Sequence, residues 1–300
     1  MRRTALVTGG TGSLGFQTAA ALVAGGWDVV ITGRNARAVA AAAARLGDGA
    51  VGLPLDLGSL AQVWRFARDV PVPHAVVCNA GIQTVSGTVL TEDGIEQTFG
   101  VNHLAHFLLV RELLPRMAPG ARVVIVASDT HDPARHTGMP APAYTDARSL
   151  AHPTEGADVP STVGRRRYTT SKLCNVLATY EFARRVPSET ATFTAFDPGL
   201  MPGTGLARDY RGPQAFAWRY LLPALTVVPG LNIHTPRRSG AALARLVLDP
   251  ALAGTTGVYF SGRREIRSSA DSYDLAKAAD LWDTSVRLTA DIPRPRRDRS

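Results

Sequence analysis

The sequence predicts a doubly wound α/β domain, with one seven-stranded parallel sheet and helices on both of its faces. Three observations predict it. Short apolar runs alternate with helical stretches along almost the whole chain. The first run, Ala5-Leu6-Val7, ends in a glycine-rich turn that opens an alanine-rich amphipathic stretch. The 300 residues are 45% hydrophobic and contain no internal repeat, which suits one sizeable core rather than two.

Taken in order, strands are expected at 4–8, 27–32, 51–55, 74–79, 121–128, 190–197 and 257–261. Helices are expected at 12–25, 35–46, 58–69, 91–117, 168–186 and 236–248. Strict alternation requires helical crossovers, hence parallel strands. Ligands of such sheets lie at the carboxyl ends of the strands. Asn79, Ser128 and Asp197-Pro198-Gly199 all fall at such ends, on the fourth, fifth and sixth strands, so one site can collect them.

The glycine turn is Gly9, Gly10, Gly12 and Gly15 after Thr8. Glycines let the backbone approach a pyrophosphate, and the N–H groups and positive dipole of the next helix bind its charge. The second strand ends in Thr32-Gly33-Arg34-Asn35, where an acid would be expected for the ribose 2′-hydroxyl of NAD. Arg34 instead suits a 2′-phosphate, so NADP(H) is the expected cofactor. Asp56, in Pro54-Leu55-Asp56-Leu57, either accepts from the adenine amino group or caps the helix that follows.

Tyr168 and Lys172 stand at i and i+4 of YTTSK, on one helical face. A cation beside the phenol lowers its pKa from the usual value of about 10 and makes it a usable general acid. Ser128, ending RVVIVAS, can donate to a substrate carbonyl and stabilise developing negative charge. Asn102 lies in the apolar stretch GVNHLAHFLL, where a buried amide needs hydrogen-bond partners. A dinucleotide turn with such an acid fits reduction of a carbonyl by hydride transfer, or the reverse oxidation.

These residues resemble the short-chain dehydrogenase/reductase superfamily over nearly the whole chain. The resemblance rests on Thr8-Gly9-x-x-Gly12-x-x-Gly15, Cys78-Asn79-Ala80-Gly81, Val101-Asn102-His103, and Ser128 with Tyr168-x-x-x-Lys172. NHLAHFLL, YTTSKLCNVLATYEFARR and GVYFSGRRE are most similar to retinol-dehydrogenase-like and protochlorophyllide-reductase-like members. The resemblance implies a Rossmann fold. It implies cofactor contacts from Gly9, Thr11, Gly12, Ser13, Leu14 and Gly15 of the turn, and from Arg34, Asn35, Asp56 and Leu57 along the adenosine. It adds Asn79, Ala80, Gly81, Lys172, Pro198 and Gly199 towards the nicotinamide. Lys172 would also bond the nicotinamide ribose, and Asn102 would hold a water that relays protons from Lys172. Two departures stand out. Ser13 replaces a glycine found in most single-domain members, a spacing nearer that of polyketide ketoreductases. Leu200 follows Pro-Gly where protochlorophyllide reductases carry a cysteine, so light-driven pigment reduction is not expected.

Residues 1–289 are assigned to the catalytic domain and 290–300, with RPRRDRS, to a basic solvated tail. The loops 129–167 and 200–235 are expected to wall the substrate, and the apolar second loop implies a bulky hydrophobic carbonyl or alcohol. The net charge of +8 is scattered, so nucleic acid is not an expected partner, although an acidic carrier protein is compatible with it. Homo-oligomerisation is left open. The segment 216–233 is broken by Arg219, prolines and a glycine and is no membrane span. With no leader before the first strand, the cytoplasm is the expected location. Cys78 and Cys174 read as buried thiols. His131, His136 and His152 match no metal spacing and read as solvent-facing or substrate-contacting. Two rivals to a free-ketone reductase remain: a polyketide-type ketoreductase acting on a carrier-bound chain, and a non-catalytic NADP(H) sensor.

Overall fold

A computed structural model describes residues 2–85, 87–154, 159–202 and 232–290. The strands are β1 Thr4–Val7, β2 Asp28–Gly33, β3 Ala50–Pro54, β4 Ala75–Cys78, β5 Ala121–Val126, β6 Ala191–Asp197, β7 Val258–Ser261 and β8 Arg264–Ile266. They form one sheet in the order β3-β2-β1-β4-β5-β6-β7-β8. The first seven pair in parallel. The expectation of seven strands is corrected by β8, which returns antiparallel on β7 after the two-residue turn Gly262-Arg263, with Gly262 at φ +56°. Its three residues are too few and too exposed to show a period in sequence.

Helices α1 Ser13–Ala24, α2 Ala36–Leu46 and α3 Leu60–Asp69 connect the first four strands. A continuous helical run follows β4: α4 Gln97–Phe99, a π-helical segment Gly100–Leu104, α5 Ala105–Leu113 and a closing 3-10 turn Leu114–Arg116. Then come α6 Ala147–Ala151, α7 Pro160–Arg185, α8 Pro236–Leu248 and α9 Leu275–Leu288. Helix α7 therefore starts eight residues before Tyr168, at a proline suited to the first helical turn. The long loop 129–167 is thus partly helical. Of the second loop, 203–231 lie outside the described residues, as do 291–300 of the tail.

Period-two alternation divides the core between the two faces of the sheet. Leu6, Val76, Cys78, Val123 and Ile125 face the side covered by α3, α5, α7 and α9. Ala5, Val7, Val77, Val124 and Val126 face the side covered by α1, α2 and α8. On the first side Phe107, Phe182, Phe193 and Trp282 pack ring on ring, with Phe182 and Trp282 at 4.8 Å and Phe182 and Phe193 at 5.0 Å. Each such ring buries roughly 1.5–3 kcal/mol of apolar transfer energy. Cys78 and Cys174 are buried free thiols, as expected, and burial pushes both pKa values up. No helix among the described residues is long and apolar enough to cross a membrane.

Candidate active site

The site forms where the strand order reverses, between β1 and β4, and extends along the carboxyl ends of β5 and β6. The glycine turn leaves β1 at Thr8 and needs glycine for steric reasons. Gly9 takes φ +66°, and a Cβ on Gly15 would come within 2.3 Å of the Gly9 carbonyl oxygen. Gly12 caps α1 without any side-chain hydrogen bond, whereas Asn35, Ser59 and Thr235 cap α2, α3 and α8 with theirs. The first N–H groups of α1, from Ser13 onward, are therefore left for an anion. These features fit a dinucleotide pyrophosphate. Leu14 and Leu57 point into the two cores, so only their backbones can face a ligand.

At the adenosine end Arg34 is exposed. The neighbouring Gly33 lies against Thr11, whose Oγ1 is 3.2 Å from where a Cβ would stand. Asn35 spends its side chain on the Ala38 N–H at 3.0 Å. Of the two roles weighed for Asp56, the helix cap falls to Ser59, which caps α3, while Asp56 Oδ1 accepts from the Gly58 N–H at 2.8 Å. At the β4 end Asn79 Nδ2 donates to the Thr8 carbonyl at 2.8 Å and fastens this strand to the turn.

Tyr168 and Lys172 lie on α7 and are 6% and 3% exposed. Lys172 Nζ sits 5.5 Å from the centroid of the Tyr168 ring and donates to the Val126 carbonyl at 3.1 Å. Burial lowers its pKa from 10.5 to about 8, and the nearby Asp197 carboxylate opposes that shift. Gly81 lies beside it, since a Cβ there would stand 3.5 Å from Nζ and 3.4 Å from Asn102 Oδ1. Ser128 follows β5, and its Oγ accepts from Thr130 N–H and lies 3.3 Å from Asp129 Oδ1. Pro198 and Gly199 end β6. Gly199, at φ +72°, has no room for a Cβ beside Asn232.

Asn102 is fully buried in the π-helical segment. Its Oδ1 accepts from Ile82 N–H at 2.8 Å and its Nδ2 donates to Ile82 O and Ser171 Oγ at 2.9 and 3.0 Å. The amide thus ties the loop after β4 to α7. Its carbonyl accepts from His106 Nδ1 at 3.2 Å, while His106 Nε2 meets Thr8 Oγ1 at 2.9 Å. Thr8 Oγ1 already accepts from the N–H groups of Asn79 and Ala80, so its proton goes to Nε2 and fixes the neutral tautomer. Burial, aided by the Lys172 charge, lowers the His106 pKa to about 4 and keeps the ring neutral. Sequence reasoning missed His106, although its i, i+4 spacing from Asn102 was a signal.

The loop histidines are corrected in part. His136 and His152 are exposed, but His131 is buried, donating through Nδ1 to the Ser128 carbonyl at 2.6 Å and accepting at Nε2 from Ser269 N–H at 3.1 Å. It fixes the turn that carries Ser128. No group of three or more candidate metal ligands occurs among the described residues.

Comparison with known proteins places this geometry. The short chain dehydrogenase family profile matches residues 3–143. The chain is 35% identical to protochlorophyllide reductase B of Oryza sativa subsp. japonica over 315 residues, covering 95% of this chain and 77% of that one. It is 34% identical to protochlorophyllide reductase of Avena sativa, covering 94% and 98%. Among solved structures, an uncharacterised protein from Mycobacterium paratuberculosis matches with a TM-score of 0.72 at 27% identity, covering 97% and 95%. A short chain dehydrogenase/reductase family protein matches with a TM-score of 0.62 at 25% identity, covering 86% and 94%. On this likeness over nearly its whole length, the chain belongs to the short-chain dehydrogenase/reductase family of NAD(P)-dependent oxidoreductases.

Proposed function

We propose that this protein reduces a ketone or aldehyde on a bulky apolar molecule with NADPH, and oxidises the alcohol in the reverse direction. The observation that carries the reading is the buried pair on α7, with the Lys172 ammonium 5.5 Å from the Tyr168 ring at the strand end that leads to Ser128. Bound NADPH supplies the hydride. Tyr168 gives its hydroxyl proton to the carbonyl oxygen, and Ser128 Oγ donates a hydrogen bond to the same oxygen. Lys172 favours the ionised phenol that remains and holds the nicotinamide ribose. Asn102 keeps the loop after β4 against α7, so the cofactor wall and the acid hold one geometry. Arg34 selects the 2′-phosphate. Residues 1–289 make up the catalytic domain, the loops 129–167 and 200–235 shape the substrate site, and the enzyme works in the cytoplasm.

The test is to mix protein, NADPH and a series of aryl and alkyl ketones and follow loss of the reduced nicotinamide absorbance. No turnover of any ketone or aldehyde, in either direction, would sink the reading. A second reading, reduction of protochlorophyllide or a related pigment, is favoured by the likeness to protochlorophyllide reductases over 95% of the chain. Comparing a free ketone with its carrier-linked thioester separates the ketoreductase rival. A sensor would bind NADPH and turn over nothing.

A further inference from the structure

A cavity of about 450 Å³ opens at the carboxyl ends of β6 and β7, lined by residues from the Ser128 turn, from 232–242 and from the β7–β8 hairpin. Neither Tyr168, Lys172 nor the glycine turn lines it. Among the described residues, five arginines do: Arg135, Arg238, Arg263, Arg264 and Arg267. Arg135 pairs with Asp132 at 3.7 Å, and the other four have no carboxylate partner among the described residues. Two further donors face the same space. Tyr259 is 2% exposed, and neither its hydroxyl nor His234 Nδ1 has a hydrogen-bond partner among the described residues. The acidic floor is already satisfied. Asp197 accepts from Gly199 N–H, Asn232 Nδ2 and Ser261 Oγ at 2.8–2.9 Å, and Asp129 accepts from the same Asn232 nitrogen at 3.0 Å.

Arg267 lies over the Tyr273 ring, which leaves Arg238, Arg263 and Arg264 as exposed guanidinium groups with no carboxylate partner among the described residues. Beside a buried unbonded phenol they make a surface rich in donors that suits a compact oxyanion. The cofactor's 2′-phosphate does not reach it. Arg34 ends β2, and β7 is five strands further along the sheet, roughly 24 Å at about 4.8 Å per strand. The cavity wall does reach the reaction, because Asp129 and His131 both bond the Ser128 residue. We propose that this cavity binds the carboxylate or phosphate of the substrate and anchors it while the carbonyl lies at Ser128 and Tyr168. The proposal rests on the carbonyl-reductase reading and narrows its substrate class to apolar carbonyl compounds bearing an acidic group.

Calorimetry on protein saturated with NADP(H), so that the pyrophosphate site is filled, tests it. The probes are inorganic phosphate, benzoylbutyrate and the methyl ester of benzoylbutyrate. Arg238→Gln/Arg263→Gln/Arg264→Gln changes exposed side chains only, and Tyr259→Phe removes a hydroxyl that bonds nothing described. Wild type should bind phosphate and should bind the keto acid at least roughly ten-fold more tightly than its ester. The triple variant should lose both preferences, Tyr259→Phe should weaken phosphate, and ester binding should not change. Equal phosphate affinity in wild type and the triple variant overturns the cavity as an anion site. Phosphate binding without an acid-over-ester preference overturns its role as substrate anchor. Calorimetry reads both without turnover, so the cavity is decided even if no ketone or aldehyde of the turnover series is reduced and the carbonyl-reductase reading fails.

Discussion

Lys172 Nζ donates to the carbonyl oxygen of Val126 at 3.1 Å, so the ammonium of α7 is held two residues before Ser128 on the end of β5. The contact fixes where the cation stands relative to the Tyr168 ring, but it does so inside the core. Burial lowers the pKa from 10.5 to about 8. The ammonium is charged below that value and lost above it. Reductive kcat/KM should therefore fall as pH rises through about 8, and Lys172→Met should lack that limb in whatever activity remains. A profile level up to about pH 10 would show that Lys172 stays charged throughout.

Tyr168→Phe removes one hydroxyl from a buried ring and keeps its shape. Folding and NADPH binding should persist while turnover drops by about 10² to 10⁴, towards the upper end, as expected for loss of a general acid. Near-normal turnover with any accepted substrate would move the acid elsewhere.

Arg34→Ala should narrow the preference for NADPH over NADH. Loss of a charge-assisted contact costs about 1.5–3 kcal/mol, or roughly ten- to a hundred-fold in affinity. Titrating both cofactors against wild type and variant measures it. Equal affinities in wild type would refute the assignment.

Asp129 is a stability probe. Burial first, then the charge of Asp197, raises its pKa from 3.8 to about 6. Between these values the folded state binds more protons than the unfolded chain, so stability declines as pH rises through this window and the cost is complete above it. Asp129→Asn should raise stability near pH 8 by roughly 1–3 kcal/mol and flatten the slope between about pH 4 and 6. Parallel denaturant curves at both ends of the window would show an unchanged slope if the carboxyl is not strained.

Leu200 follows Gly199 and is 37% exposed. Illuminating the protein with NADPH and protochlorophyllide should give no chlorophyllide in the absorption spectrum. Its appearance under light alone would reverse the reading of this position.

Much of the fold could be read from the chain because its central strands are buried on both faces and its first glycine turn is sterically obligatory. The seven parallel strands were legible for those reasons, and the i, i+4 spacing of Tyr168 and Lys172 showed that they share one helical face. Arg264–Ile266 was not, since a three-residue edge strand carries no period. Leu275–Leu288 was missed even though Asp274 caps it and Ala278 and Leu281 mark its buried face. The early start of α7 was hidden by the polar residues of its first turns. The arginine-lined cavity was not legible at all. Its residues come from four separate segments, which meet through the pairing of β5, β6, β7 and β8.

The π-helical segment Gly100–Leu104 amounts to one surplus residue threaded into an otherwise regular rod. Removing a residue there would cost the backbone little, because an ordinary α-helix could close over the gap. It would nevertheless turn everything on one side of the cut by about 100° relative to the other. Asn102 would swing away from Ile82 and Ser171, and His106 away from Thr8. A chain of this architecture can gain or lose length in its surface loops, but at this point its length is part of its chemistry.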